Sequence, residues 1–138
     1  MTAAPPAIPP DLEAFFQSYR HGWDTFDGVA IAAHYRCPVT LIDGDGLHTY
    51  QTRAEVTAKL TTNCETFRAM GYTSAHFSVG HYLPTGETAA AVDLGWRVAL
   101  SDSEITYRTL YSCAHTEGAW QIIHAVAYAE PSPTHQAP

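Results

Sequence analysis

Residues 73–129 hold four long runs, 73–82, 88–100, 104–114 and 119–129, parted by "PTGE", "SDSE" and "TEG". Turns that short join neighbouring strands antiparallel, and strands that long are expected to bend strongly. The small residues inside them, Gly80, Gly95 and Ala89 to Ala91, permit such a bend or a close packing. A long curved sheet therefore dominates the second half of the chain, and the helices must precede it. The class that follows is α+β, with helices packed on one face of a mainly antiparallel sheet.

Those helices are readable from apolar spacing. After Pro10 and Asp11, the residues Leu12, Phe15, Phe16, Tyr19 and Trp23 recur on one helical face. A second, shorter helix is expected near Thr25, with Phe26, Val29, Ala30 and Ala33 inward and Pro38 as its stop. The third carries a capping box, Thr52 with Glu55, a stripe of Val56, Leu60, Cys64 and Phe67, and a closing Gly71. Between the second and third, "VTLI" and "LHTY" flank the glycine-rich turn at 43–46 as a first hairpin. Residues 1–10 and 131–138 read as flexible tails, which leaves a single domain over 11–130.

Charge narrows the partners. Fourteen acids stand against seven basic residues, only one of which, Lys59, is a lysine, for a formal net charge of −7. A chain so poor in cations makes few phosphate contacts, so nucleic acid is not an expected partner. No apolar stretch approaches a membrane span, and "MTAAPPAIPPD" lacks a basic leader, so no membrane partner and a cytoplasmic location are expected. Cys37, Cys64 and Cys113, odd in number and set in apolar segments, read as free thiols. No histidine pair has zinc-site spacing, and His76 and His81, five apart in one strand, are expected on opposite faces. "GDG" lacks the rest of any phosphate or calcium loop. No metal and no cofactor are expected.

A few residues are candidates for chemistry. Asp43 ends the apolar run Val39–Ile42 and is either a turn acid bonded to nearby amides or a general base held in an apolar mouth. Tyr19, on the first helix's stripe, is either a core phenol or a donor to a ligand carbonyl, and Trp23 on the same stripe is a ligand-contact candidate. Asp93, Gly95 and Arg97 share one strand face; Val92, Leu94, Trp96 and Val98 share the other, the core side. Arg108 is placed to meet an anionic ligand, or else Asp93 or Glu104. By alternation Trp120, Ile122, His124, Val126 and Tyr128 face one way, so His124 and Tyr128 would be polar tips of any cavity there.

The helix–helix–hairpin–helix order followed by long antiparallel strands resembles the NTF2-like superfamily, which includes the SnoaL-like cyclases and the ketosteroid isomerases. The stretches that carry the resemblance are "FFQSYRHGWDTFDGVAIAAHYRCPVTLIDGDG" and "TEGAWQIIHAVAYAE". It implies a cone-shaped fold over 11–130 and an uncharacterised subgroup. An ungapped comparison sets the isomerases' helix tyrosine on Tyr19 and their catalytic aspartate on Asp43. Their third partner, a protonated aspartic acid, falls near Arg108, which favours an anionic ligand over a steroid. Two functions are compatible with this. One is a pocket for a small, partly apolar, anionic ligand without chemistry. The other is an isomerase, cyclase or dehydratase with Asp43 as base and Tyr19 as oxyanion donor. The resemblance also implies a homodimer paired through the sheet's outer face, for which Trp96, Tyr107 and Tyr111 could supply the surface.

Overall fold

The computed structural model describes residues 7–129. Its elements are α1 (Pro10–Asp24), α2 (Gly28–Ala32), β1 (Tyr35–Asp43), β2 (Gly46–Tyr50), α3 (Arg53–Ala69), β3 (Ser74–Pro84), β4 (Ala89–Ala99), β5 (Glu104–Thr116) and β6 (Ala119–Ala129). The strands form one six-stranded sheet in the order β2-β1-β6-β5-β4-β3. Every neighbouring pair is antiparallel except β1 with β6, so the sheet is mixed. Of the expected tails, residues 1–6 and 131–138 lie outside the described residues. Ile8, however, packs against the core, and the first helix already includes Pro10.

The helices cover one face of the sheet, and the core lies between the two layers. Leu12, Phe16 and Tyr19 of α1, Ile31 and Ala32 of α2, and Val56, Leu60 and Cys64 of α3 meet Val92, Leu94, Trp96, Val98, Tyr111 and Cys113 from the sheet. At the start of α3, Thr52 Oγ1 accepts the Glu55 amide at 3.2 Å and donates to the Glu55 carboxylate at 3.3 Å, which forms the expected cap. Gly71, at φ +86°, ends the helix in the left-handed region, where a side chain would also collide with Ser101.

The second helix differs from expectation. Phe26 sits at φ 53° and interrupts the helical path, so α2 starts only after Asp27, whose carboxylate accepts the Ala30 amide at 3.0 Å. The frame moves with that start. Gly28, Ile31 and Ala32 turn inward, and Val29 is 68% exposed. Gly28 lies against α3 so closely that a Cβ there would overlap Thr61. The first strand also starts earlier than the sequence suggests, at Tyr35. It runs through Pro38 because its ladder to β6 shifts register between Tyr35 and Thr40, where a missing amide removes no rung.

Two register shifts overturn parity arguments. Between Val79 and His81 the β3–β4 ladder slips by one, so His76 and His81 both face outward, opposite Arg97 and Asp93. Between Ser112 and Cys113 the β5–β6 ladder slips likewise. Ile122 stays in the core, but His124, Val126 and Tyr128 stand opposite Ser112, Leu110 and Arg108 on the outer face. The expectation that all five β6 residues face one way is therefore corrected: each inserted residue switches the side on which the rest of the strand points.

Candidate functional site

Between the helices and the inner face of the sheet lies a cavity of about 200 Å³. Its wall combines Trp23 and Tyr19 of α1, Leu60 and Phe67 of α3, and Trp96, Tyr107 and Tyr111 of the sheet. Small residues from three strands leave this volume open: Ala125 and Ala127 on β6, Thr109 on β5 and Ala75 on β3 all line it. Aromatic side chains around such a space suit a ring-bearing ligand, which can meet them edge to face.

The floor is a set of phenols. The Tyr19 and Tyr35 hydroxyls are 2.7 Å apart, one donating to the other, and Trp96 Nε1 donates to Tyr111 Oη at 3.0 Å. Tyr19 is 4% exposed, Tyr35 and Tyr111 3% each. Burial raises all three above the ordinary tyrosine range, Tyr35 and Tyr111 far above it, and burial also raises Tyr107. These groups therefore stay protonated and act as hydrogen-bond donors, not bases. The Tyr19–Tyr35 pair holds two protons and uses one between them. The second is not consumed within the pair. Cys113 lies behind the same cluster with its thiol pushed up to about 12 by burial, which leaves it a protonated wall group. At the far side Tyr72 donates to Asp24 Oδ1 at 2.6 Å while Arg20 holds Oδ2 at 2.6 Å, which fixes Tyr72 as part of the wall.

The polar residues at the cavity are few. Asp43, at the end of β1, lines it and spends Oδ1 on the Asp45 amide at 2.8 Å. That is the turn-acid role, performed by a residue that also borders the cavity. Lys59 and Asn63, one turn apart on α3, line it as well. Neither stands out in the sequence, because both sit beside the apolar stripe of α3 and look like ordinary solvated residues. The available signal was their i, i+4 spacing on the border of that stripe.

Of the six sequence candidates, Tyr19, Trp23 and Asp43 come together at this cavity. Arg108, His124 and Tyr128 do not. They stand on the outer face, where Arg108 Nε donates to Asp93 Oδ2 at 3.4 Å and Tyr128 Oη donates to the same oxygen at 2.8 Å. His81 Nδ1 lies 3.3 Å from that oxygen too. Arg97 pairs separately with Glu104 at 3.2 Å. Trp96, Tyr107 and Tyr111, considered for an outer association surface, line the inner cavity instead. Cys37, Cys64 and Cys113 are free thiols. Among the described residues no group of three His, Cys, Asp or Glu is gathered to hold a metal ion, and no helix is long and apolar enough to cross a membrane.

Several solved structures share this architecture. A domain of unknown function with a cystatin-like fold from Nostoc punctiforme superposes with TM-score 0.75 at 19% identity, covering 94% of this chain and 83% of that one. A protein from Thiobacillus denitrificans, named as a calcium/calmodulin-dependent protein kinase type II association domain, gives 0.74 at 11% identity, over 91% and 100%. A ketosteroid isomerase-like protein from Erwinia carotovora gives 0.68 at 16% identity, over 89% and 95%. Identities this low establish a common fold and nothing about activity. No functionally curated protein matches the chain. Residues 10–130 match the profile of the family described as NTF2-like protein (DUF6841), and the chain belongs to that family.

Proposed function

We propose that this protein binds a small, ring-sized, largely apolar molecule between its helices and its sheet and holds it without transforming it. The observation that supports this reading is the aromatic cavity of about 200 Å³, floored by phenols that are kept protonated. An apolar cavity of about 150 Å³ is enough for benzene, so one ring with modest substituents fits here. Trp23 and Trp96 both line the space, so their fluorescence reports occupancy directly. Titration with neutral single-ring compounds such as 3-phenylpropionamide is expected to saturate that signal. Tyr35→Phe removes one donor at the floor and should weaken a ligand that places an oxygen there by about fivefold. A flat signal across neutral and charged ring compounds alike would remove the reading.

Catalysis is the second reading, favoured by one observation: Asp43 and Tyr19 border the same cavity. A ketone seated between them would lose an α-proton to Asp43 while Tyr19 donates to its oxygen. The ligand oxygen would have to compete with Tyr35 for the Tyr19 hydroxyl. Exchange of ketone α-protons into D2O, followed by NMR, tests it. Catalysed exchange that falls about 100-fold or more in Asp43→Asn supports the enzyme; exchange no faster than buffer with the unaltered protein excludes it.

Association into a homodimer belongs to the same proposal. Its support is apolar exposure on the outer face, where Leu110 and Tyr128 are 39% and 38% exposed. Leu110→Glu is expected to convert a dimer into monomers in sedimentation velocity. A monomer before substitution rules the pairing out.

A further inference from the structure

We infer that the ligand is a ring-bearing amino-carboxylate zwitterion, such as an aromatic α-amino acid, with its ring in the cavity and its two charges at Lys59 and Asp43. The inference rests on the binding reading above and names the chemistry of that same site. The cavity wall selects a ring, but the charged side chains that line it select something further. There are two, one of each sign: Lys59 on α3 and Asp43 at the end of β1. They form no ion pair with each other within 4 Å, and neither has any other ion-pair partner among the described residues. Asp43 commits Oδ1 to the turn, which leaves Oδ2 without a hydrogen bond from any described residue. The Lys59 ammonium and the Asn63 side-chain amide are without such partners as well.

Each simpler ligand class leaves one of these groups badly served. A ring carboxylate finds Lys59 and Asn63 but brings a second negative charge toward Asp43. A ring amine finds Asp43 but approaches Lys59. A neutral ring compound ignores both. An amino-carboxylate presents its ammonium to Asp43 Oδ2 and its carboxylate to Lys59 and Asn63, so that every pairing is charge-assisted and no like charges meet. Both Lys59 and Asp43 are half-buried. The ligand's charges therefore remain partly in water and escape most of the desolvation cost that a deep site would impose, while the ring is fully removed from it. Arg108, the cation expected to meet an anion, faces away from the cavity; the cation that borders it is the chain's single lysine.

Isothermal titration with four probes that share the phenylethyl frame, phenylalanine, 3-phenylpropionate, phenethylamine and 3-phenylpropionamide, tests this at low ionic strength. Phenylalanine is expected to bind about tenfold more tightly than either singly charged analogue. Asp43→Asn should weaken phenylalanine about tenfold and leave 3-phenylpropionate unchanged or tighter. Lys59→Gln should weaken phenylalanine similarly and leave phenethylamine unchanged or tighter. If 3-phenylpropionate, phenethylamine or the neutral amide binds as tightly as phenylalanine, the zwitterion inference fails while the pocket stands. If none of the four binds, the pocket reading fails with it.

Discussion

Tryptophan in place of Ala127 is expected to abolish binding, weakening any ring ligand by at least about 100-fold, and to leave the fold intact. Ala127 lies on β6 opposite Thr109, and both line the cavity beside Ala125. An indole grown from that position occupies the volume a ligand ring would need. In a solid core such an enlargement costs about 1–3 kcal/mol by overpacking. Here the room already exists between helices and sheet, so stability should change by less than about 1 kcal/mol. The measurement is a ligand titration paired with a thermal melt of the same variant. Retained binding with a normal melt would place the ligand somewhere other than this cavity.

The second large effect is on stability. Arg108→Met is expected to cost about 2–3 kcal/mol, read as a lowered urea midpoint. Asp93 is only 7% exposed, its Oδ1 is buried without a hydrogen bond from any described residue, and its Oδ2 receives Arg108, Tyr128 and His81. Removing the guanidinium leaves that carboxylate charged in a poorly solvated place, and uncompensated buried charge is among the costlier defects. The figure sits below the full cost of a deeply buried pair because the Arg108 side chain keeps 19% of its exposure. Asp93→Leu combined with Arg108→Met should recover most of the loss, since the charge to be compensated is then gone. A single variant as stable as the parent would mean that solvent from the outer face serves Asp93 unaided. Gly80 belongs to this arrangement: a Cβ there would overlap the Arg108 guanidinium, so the inserted residue of β3 is also the one that makes room for the pair.

The fold was legible in the sequence because its signals are redundant. Four long alternating runs, short turns and a capped amphipathic helix each point to the same two-layer design. The lining of the cavity was legible where a residue's position follows from a continuous element. Tyr19 and Trp23 ride the stripe of α1, and Asp43 ends an apolar strand, so all three reach the cavity. It failed where one inserted residue changes parity. His124 and Tyr128 look inward by simple alternation from Ile122, and the slip beside Ile123 turns them out. Nothing in the composition of "QIIHAVAY" marks which isoleucine is the extra one. Arg108 was ambiguous for another reason: its side was correctly grouped with Leu110 and Ser112, but which face the helices cover is a tertiary fact. Lys59 and Asn63 were missed because a half-buried polar residue at the margin of a stripe looks like an ordinary solvated one until the opposite wall is known.

The parallel contact between β1 and β6 has a consequence for how the protein acquires its site. Beyond its hairpin with β2, the first strand finds its other neighbour only in β6, which inserts between β1 and β5. Because β6 also contributes Ala125 and Ala127 to the cavity wall, the recess is incomplete until that strand has docked. On a ribosome, the phenols of α1 and β1 would therefore be made early and wait, open on one side, for a segment synthesised about eighty to a hundred residues later. The cavity between helices and sheet is therefore closed only once β6 is in place.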